Sequence, residues 1–231
     1  MQHNRLVHSE PLKEIEKFAH LFHERAFEPK ELVFADGDLG DAVYLLKTGH
    51  VRLYRITEDG KELTLAILGP GDVFGELALF GITQRRMFAQ ALEEAHICTA
   101  SVDALTRLMG HHPRLTAMVA TEIAKRRSEM EARVADFAYG SVRARLLHAL
   151  HRLHQEHGET RPDGKIRIDI RLSHRELGEL VGTTRETCTV ECGKLQETGA
   201  LCFDDDHHMI LDLEKLEPRT PRSVPQEPVS L

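Results

Sequence analysis

Long apolar runs are missing from these 231 residues. No stretch approaches the ~18 apolar residues that a membrane-spanning helix requires. The opening Met1-Gln2-His3-Asn4-Arg5 lacks the apolar core of a secretory signal, so a cytoplasmic protein with no membrane partner is expected. Cysteine is scarce: Cys98, Cys188, Cys192 and Cys202 are the only four, and none precedes Cys98. An iron–sulfur centre on an N-terminal cysteine cluster is therefore excluded. In a reducing compartment the four are expected to stay free and pack as small hydrophobes. Phosphate-loop, G-x-S-x-G and H-E-x-x-H motifs are also missing, which leaves an enzyme as the weakest class. There is no excess of positive charge, since 30 Lys and Arg stand against 37 Asp and Glu, a formal charge of −7. That argues against nonspecific nucleic-acid binding, but only weakly when one short element makes the contacts.

What is present is an ordinary soluble composition, 29% charged and 41% hydrophobic, enough for one large domain or two small ones. Residues 12–25 predict a short amphipathic helix with Leu12, Ile15, Phe18, Leu21 and Phe22 on one side. From about 27 to 102 the pattern turns to short strands between glycine turns at Asp36-Gly37, Thr48-Gly49, Asp59-Gly60 and Pro70-Gly71. Between them Leu63, Leu65 and Ile67 alternate with Thr64 and Ala66, as in a half-buried strand. Such spacing predicts a β-sandwich, barrel or roll.

Pro113 opens a long helical stretch reaching about Phe137. Its apolar positions, Leu115, Val119, Ile123, Met130, Val134 and Phe137, form a narrow stripe among charges. A helix of ~25 residues spans ~37 Å, and so narrow a stripe suits a two-helix seam and a homodimer. The alternative is that the helix lies on its own β-domain. A further helix is expected over 141–157, a strand over 164–170 and a helix pair over 173–198. The proline-rich end predicts disorder. The resulting division is 1–112, a β-domain; 113–138, a dimerisation helix; 139–217, a C-terminal domain built around the helix pair; and 218–231, a disordered tail.

The helix pair has the form of a helix-turn-helix. Ser173-His174-Arg175-Glu176 is a capping-box sequence, Leu177, Leu180 and Val181 share a face, and Gly182 supplies the turn. Thr183 or Thr184 caps the second helix, whose buried face is Cys188, Cys192 and Leu195. Arg185, Glu186, Thr189, Val190 and Gly193 then face outward. Arginine can bond guanine bidentately and glutamate can accept from cytosine N4, so the first turn can read base edges. An unrelated helical hairpin with a glycine turn is the alternative.

Leu172 through Thr187 (LSHRELGELVGTTRET) resembles the DNA-binding motif of the CRP/FNR family of transcription regulators. Phe74-Gly75-Glu76-Leu77-Ala78-Leu79-Phe80 resembles that family's phosphate-binding cassette. The match covers roughly residues 12–213. It implies an α+β chain: an N-terminal jelly-roll-like β-roll that binds cyclic nucleotides, a long dimerisation helix and a C-terminal winged helix-turn-helix. It also implies double-stranded palindromic DNA and RNA polymerase as partners, with Ser173, His174, Arg175, Thr184, Arg185, Glu186, Thr189 and Val190 at the DNA and His174 near phosphate. The chain departs from the pattern at Val190, where relatives often carry a second arginine; valine could touch a thymine methyl but cannot read guanine.

For the effector, the resemblance points to cAMP or a similar nucleotide. Gly75, Glu76 and Leu77 would form the turn, with Glu76 on the ribose 2′-hydroxyl and Arg86 on the phosphate; Arg85 is the second candidate. Where cAMP receptors carry a small hydroxyl residue and then alanine, this chain has Met87 and Phe88. Met130 and Glu131 stand where the long helix offers threonine or serine to adenine. The Met87–Phe88 pair could instead fill the pocket, leaving a ligand-independent regulator. Another effector, or a nucleotide-binding module acting on protein partners, are the remaining readings. His148, His151, His154 and His157 recur every third residue, but each step drifts 60° round the helix, so a solvated face is expected rather than a metal site. No metal or haem is expected.

Overall fold

The computed structural model describes residues 22–216. Residues 12–21 of the expected first helix and the tail at 218–231 lie outside the described residues. Residues 23–25 are not helical: strand β1 (His23–Phe27) pairs antiparallel with β8 (Ala95–Ser101), and Phe27 enters the core. The ladder overrides the helical period at that end.

Two antiparallel four-stranded sheets build the roll. One has the order β1-β8-β3-β6, with β3 at Ala42–Thr48 and β6 at Val73–Phe74. The other has the order β2-β7-β4-β5, with β2 at Leu32–Phe34, β7 at Phe88–Ala91, β4 at Val51–Ile56 and β5 at Glu62–Leu68. Phe27, Phe34, Leu46, Leu53, Phe74 and Ile97 fill the space between them. The simple alternation expected of β5 does not hold. Thr64 is buried, Leu68 joins the core of the roll, and Ile67 joins the core of the C-terminal domain. Both faces of β5 are covered because that domain docks on it.

Helix α1 (Val102–His111) leads to the long helix α2 (Pro113–Tyr139), with proline in the first turn, where its missing N–H costs nothing. Leu115 packs with Val43, Leu45, Val73 and Leu105 of its own β-domain, and Val119 is buried within the same chain. These two members of the expected seam are therefore unavailable to a partner. Further along, Ile123 and Met130 are half-buried, Val134 is 61% exposed and Phe137 36% exposed. The apolar stripe divides: its start serves the roll and its end remains open.

The long helix ends at Gly140, and Ser141 caps α3 (Val142–His157), its hydroxyl accepting from the Ala144 amide. Then follow β9 (Gly158–Thr160), β10 (Ile166–Ile168), α4 (His174–Val181), α5 (Arg185–Glu197), β11 (Leu201–Phe203) and β12 (Met209–Leu211). The four strands form one small sheet of order β11-β12-β10-β9, the wing beside the helix pair. Leu146, Leu150, Ile168, Leu177, Leu195 and Met209 lie in its core. No helix among the described residues is long and apolar enough to cross a membrane.

Candidate functional site

The turn from β6 into the short 3₁₀ helix Glu76–Phe80 forms the first site. Gly75 has φ +74°, the left-handed region, and a Cβ there would lie 2.9 Å from Arg85 Nη1 and 3.0 Å from the Tyr44 ring. Glycine is required both for the conformation and for the approach of the guanidinium. Arg85, 6% exposed, donates to the carbonyls of Gly75 (2.9 Å) and Ala42, and sits 4.6 Å over the Phe34 ring. Its Nε is buried without an acceptor, and no carboxylate pairs with it among the described residues. A buried guanidinium answered among the described residues by carbonyls, rings and the Tyr44 hydroxyl, with no carboxylate, suits an incoming anion. The residues present therefore fit a phosphate-bearing ligand.

Arg86 does not share this position. It is exposed, because neighbouring residues on an extended segment point to opposite sides and Arg85 takes the inward place. Met87 packs against the roll core, but Phe88 turns the other way and stacks on Tyr54 at 5.0 Å, so the pair does not fill one pocket together. Glu131 is exposed and pairs with Arg127 of its own helix at 2.9 Å. Met130 lines a separate cavity between the domains. The long helix reaches the cassette through Arg126 instead. Its Nη1 lies 3.4 Å from the buried Glu76 carboxylate and its Nη2 donates to Val73 O at 2.9 Å. The sequence held a signal for this: Arg126 precedes Met130 by four residues, one turn along the same face. Leu77 is part-exposed on the 3₁₀ turn, where its carbonyl accepts from Ile82.

The second site is the helix pair. Ser173 caps α4, its hydroxyl taking the Glu176 amide while Glu176 reaches back to the Ser173 amide at 2.7 Å. Gly182 ends the helix at φ +64°, and a Cβ there would strike the Phe137 ring. Thr184 caps α5 through the Thr187 amide. Cys188, Cys192 and Leu195 are buried as expected from their spacing. The thiol contact with Cys192, and then burial, push the Cys188 thiol up, so it stays protonated. Arg185, Glu186, Thr189 and Val190 face outward and are exposed. His174 contacts Thr189 at 3.0 Å, linking the first helix to the middle of the second, and exposed Arg175 pairs with Glu179 at 2.8 Å. Ser173 is exposed beside them.

The histidines of α3 do not form a solvated face. His157 is buried with its ring 5.0 Å from that of His50, and His148 bonds Asp136 at 2.8 Å. They sit where α3 meets the roll and the long helix. No group of three or more metal-ligating side chains is assembled among the described residues.

Between roll, α2 and α3 lies a cavity of about 630 Å³ lined by His50, Asp72, Glu129, Arg152 and Glu156, among others. Burial, with Glu129 and Asp72 close by, raises Glu156 from 4.5 to about 7. In that window the folded chain holds a proton that the unfolded chain has lost. Stability therefore falls as pH rises from about 4.5 to about 7 and levels above it. Glu156→Gln should flatten that slope and leave the variant more stable than wild type at pH 8, by about 1–2 kcal/mol after solvent screening. Denaturant titrations of both proteins at several pH values check this; parallel pH profiles would refute it.

Family models match both halves. The cyclic nucleotide-binding domain matches residues 24–112 and the Crp-like helix-turn-helix domain residues 144–219. The chain is 30% identical over 187 residues to the CRP-like cAMP-activated global transcriptional regulator of Mycobacterium tuberculosis, covering 81% of this chain and 83% of that one. It is 31% identical over 201 residues to the cyclic AMP receptor protein of Thermus thermophilus, covering 87% and 89%. The solved c-di-GMP responsive global regulator CLP of Xanthomonas campestris superposes with a TM-score of 0.74 at 25% identity, covering 87% of this chain and 98% of that one. With a β-roll, a long helix and a helix-turn-helix in this order, the chain belongs to the CRP/FNR family of DNA-binding transcription regulators and is not an enzyme.

Proposed function

We propose that this regulator acts in the cytoplasm as a homodimer on palindromic DNA, with its DNA affinity set by cAMP or a similar nucleotide held at Gly75, Glu76 and Arg85. The observation that carries the effector reading is the buried Arg85 guanidinium, seated on Gly75 with no carboxylate partner among the described residues. Phosphate would supply the missing anion, and Glu76 would take a ribose hydroxyl in exchange for Arg126. The outward face of α5, with Arg185 and Glu186 in its first turn, supports base reading in the major groove. Val134 and Phe137, with half-buried Ile123, offer the self-complementary stripe for a two-fold partner. RNA polymerase is the partner expected once the dimer is on DNA.

The Glu76–Arg126 contact also favours a second reading, in which the chain's own arginine locks the cassette and no ligand is needed. Calorimetry with cAMP separates the two, since the locked cassette gives no heat at millimolar nucleotide. Selection from random DNA should return an inverted repeat with half-site centres ~34 Å apart, about one helical turn. A direct repeat, or a monomer in light scattering at micromolar concentration, would sink the two-fold reading.

A further inference from the structure

The joint between the domains is held by two buried guanidiniums, and one of them ties three parts of the molecule together. Arg133 of α2 is 6% exposed and donates to three main-chain carbonyls. Two, Thr64 (2.6 Å) and Leu65, belong to β5 of the roll; the third, Leu180 (2.9 Å), lies in the last turn of α4. Carbonyls at a helix C-terminus have no partner within the helix and draw positive charge. Arg145 of α3 takes the next two, Val181 at 2.8 Å and Gly182 at 3.3 Å, but it belongs to the DNA-binding domain itself. Arg133 comes from the long helix and so fixes α4 to two other parts of the molecule at once. A second hold comes from the roll. Arg52 of β4, also buried, reaches Glu179 of α4 at 2.7 Å while bonding Glu62 and Gln90 within its own sheet.

We infer that Arg133 is a positioning residue for DNA recognition: it sets the pose of the helix-turn-helix against the long helix and β5, and links that pose to the cassette. The inference rests on the DNA-binding reading above. Two connections run from Arg133 to the cassette. Strand β5 leads through the Gly69–Asp72 turn into β6 and Gly75. Along α2, Arg126 lies seven residues earlier, on the same side, and holds Glu76. A ligand that takes Glu76 away from Arg126 therefore acts on the same helix face that carries Arg133. In the docked pose Arg185, Glu186, Thr189 and Val190 remain exposed, so docking does not mask the base-reading face. Loss of the clasp should accordingly weaken DNA binding by spreading the domain over many orientations, of which few fit an operator.

The test uses full-length Arg133→Met and Arg133→Lys. For Arg133→Met, operator affinity should fall by about tenfold or more, since only the competent fraction of poses binds. Affinity for random-sequence DNA should stay within about twofold, because no phosphate contact is touched. Amide exchange across 62–68 and 174–182 should speed up by about tenfold as the clasp opens. Lysine, a single point donor, cannot span β5 and α4 together, so Arg133→Lys should move the same way by less. Arg52→Met opens the joint from the other side and should mimic the effect if Arg133→Met does not fold. Operator affinity within twofold of wild type in the folded variants, or a rise, overturns the inference. If wild-type protein fails to bind any selected operator, the DNA-binding reading fails instead, and unchanged exchange in the variants would still overturn the clasp.

Discussion

Arg85→Ala should weaken the proposed nucleotide binding severely, whereas Arg86→Ala should leave it near wild type. The two arginines are adjacent, yet one is buried against Gly75 and the other stands in solvent. A charge-assisted contact to phosphate inside a low-dielectric site is worth about 2–4 kcal/mol when one partner is cut away. That is a loss of roughly 30- to 1000-fold in affinity. The substitution also strands the carbonyls of Gly75 and Ala42, so some destabilisation accompanies it. Arg85→Lys separates the two effects: it keeps the charge but not the fork, so binding should weaken while the unfolding midpoint recovers in part. Calorimetry on the variants and wild type gives the answer. If Arg86→Ala loses the nucleotide and Arg85→Ala keeps it, the cassette is arranged around the wrong side chain.

The choice between these arginines shows where sequence reading stops. Both architectural halves were legible because local chemistry and the global fold agree. Ser173 and Glu176 form the capping box their spacing predicts, Gly182 takes the left-handed turn, and Cys188, Cys192 and Leu195 are buried at i, i+4 and i+7. Which of Arg85 and Arg86 points inward depends on the phase of a short extended segment, and one residue of shift reverses every side chain. The stripe on the long helix was visible, but periodicity does not say whose core a residue joins. Leu115 belongs to the roll of its own chain, while Val134 remains exposed. Charged residues misled most. Arg126 and Arg133 lie among the charges that flank the apolar stripe of the long helix, and both are drawn inward by carboxylates or by carbonyls that only the fold brings near. The histidines of α3 misled in the same way, since the roll packed against them lies more than 80 residues earlier in the chain, as His50 does from His157.

Arg185→Ala should relax recognition at one G·C pair in each half-site without disturbing the fold. Arg185 is the first residue of α5, exposed, with Thr184 capping the helix behind it, and no ion pair holds it among the described residues. Its removal therefore leaves no buried group unpaired, and the unfolding midpoint should stay within about 0.5 kcal/mol of wild type in free energy. Against a matched operator, one bidentate contact to guanine is worth about 1–3 kcal/mol, or roughly 5- to 150-fold, per half-site. Two half-sites act together in a dimer, so the measured loss should approach the square of the single-site factor. The alternative place for this side chain is a phosphate, and titration of salt distinguishes the two. A lost phosphate contact weakens all sequences alike and lowers the slope of log affinity against log salt by ~1 per subunit, whereas a lost base contact leaves the slope in place and flattens the preference at one position. Val190, 57% exposed in the middle of the same helix, can add only apolar contact, so a larger share of discrimination falls on Arg185 and Glu186. If Arg185→Ala binds its selected operator as tightly as wild type, at every salt concentration, α5 does not read DNA through its first turn.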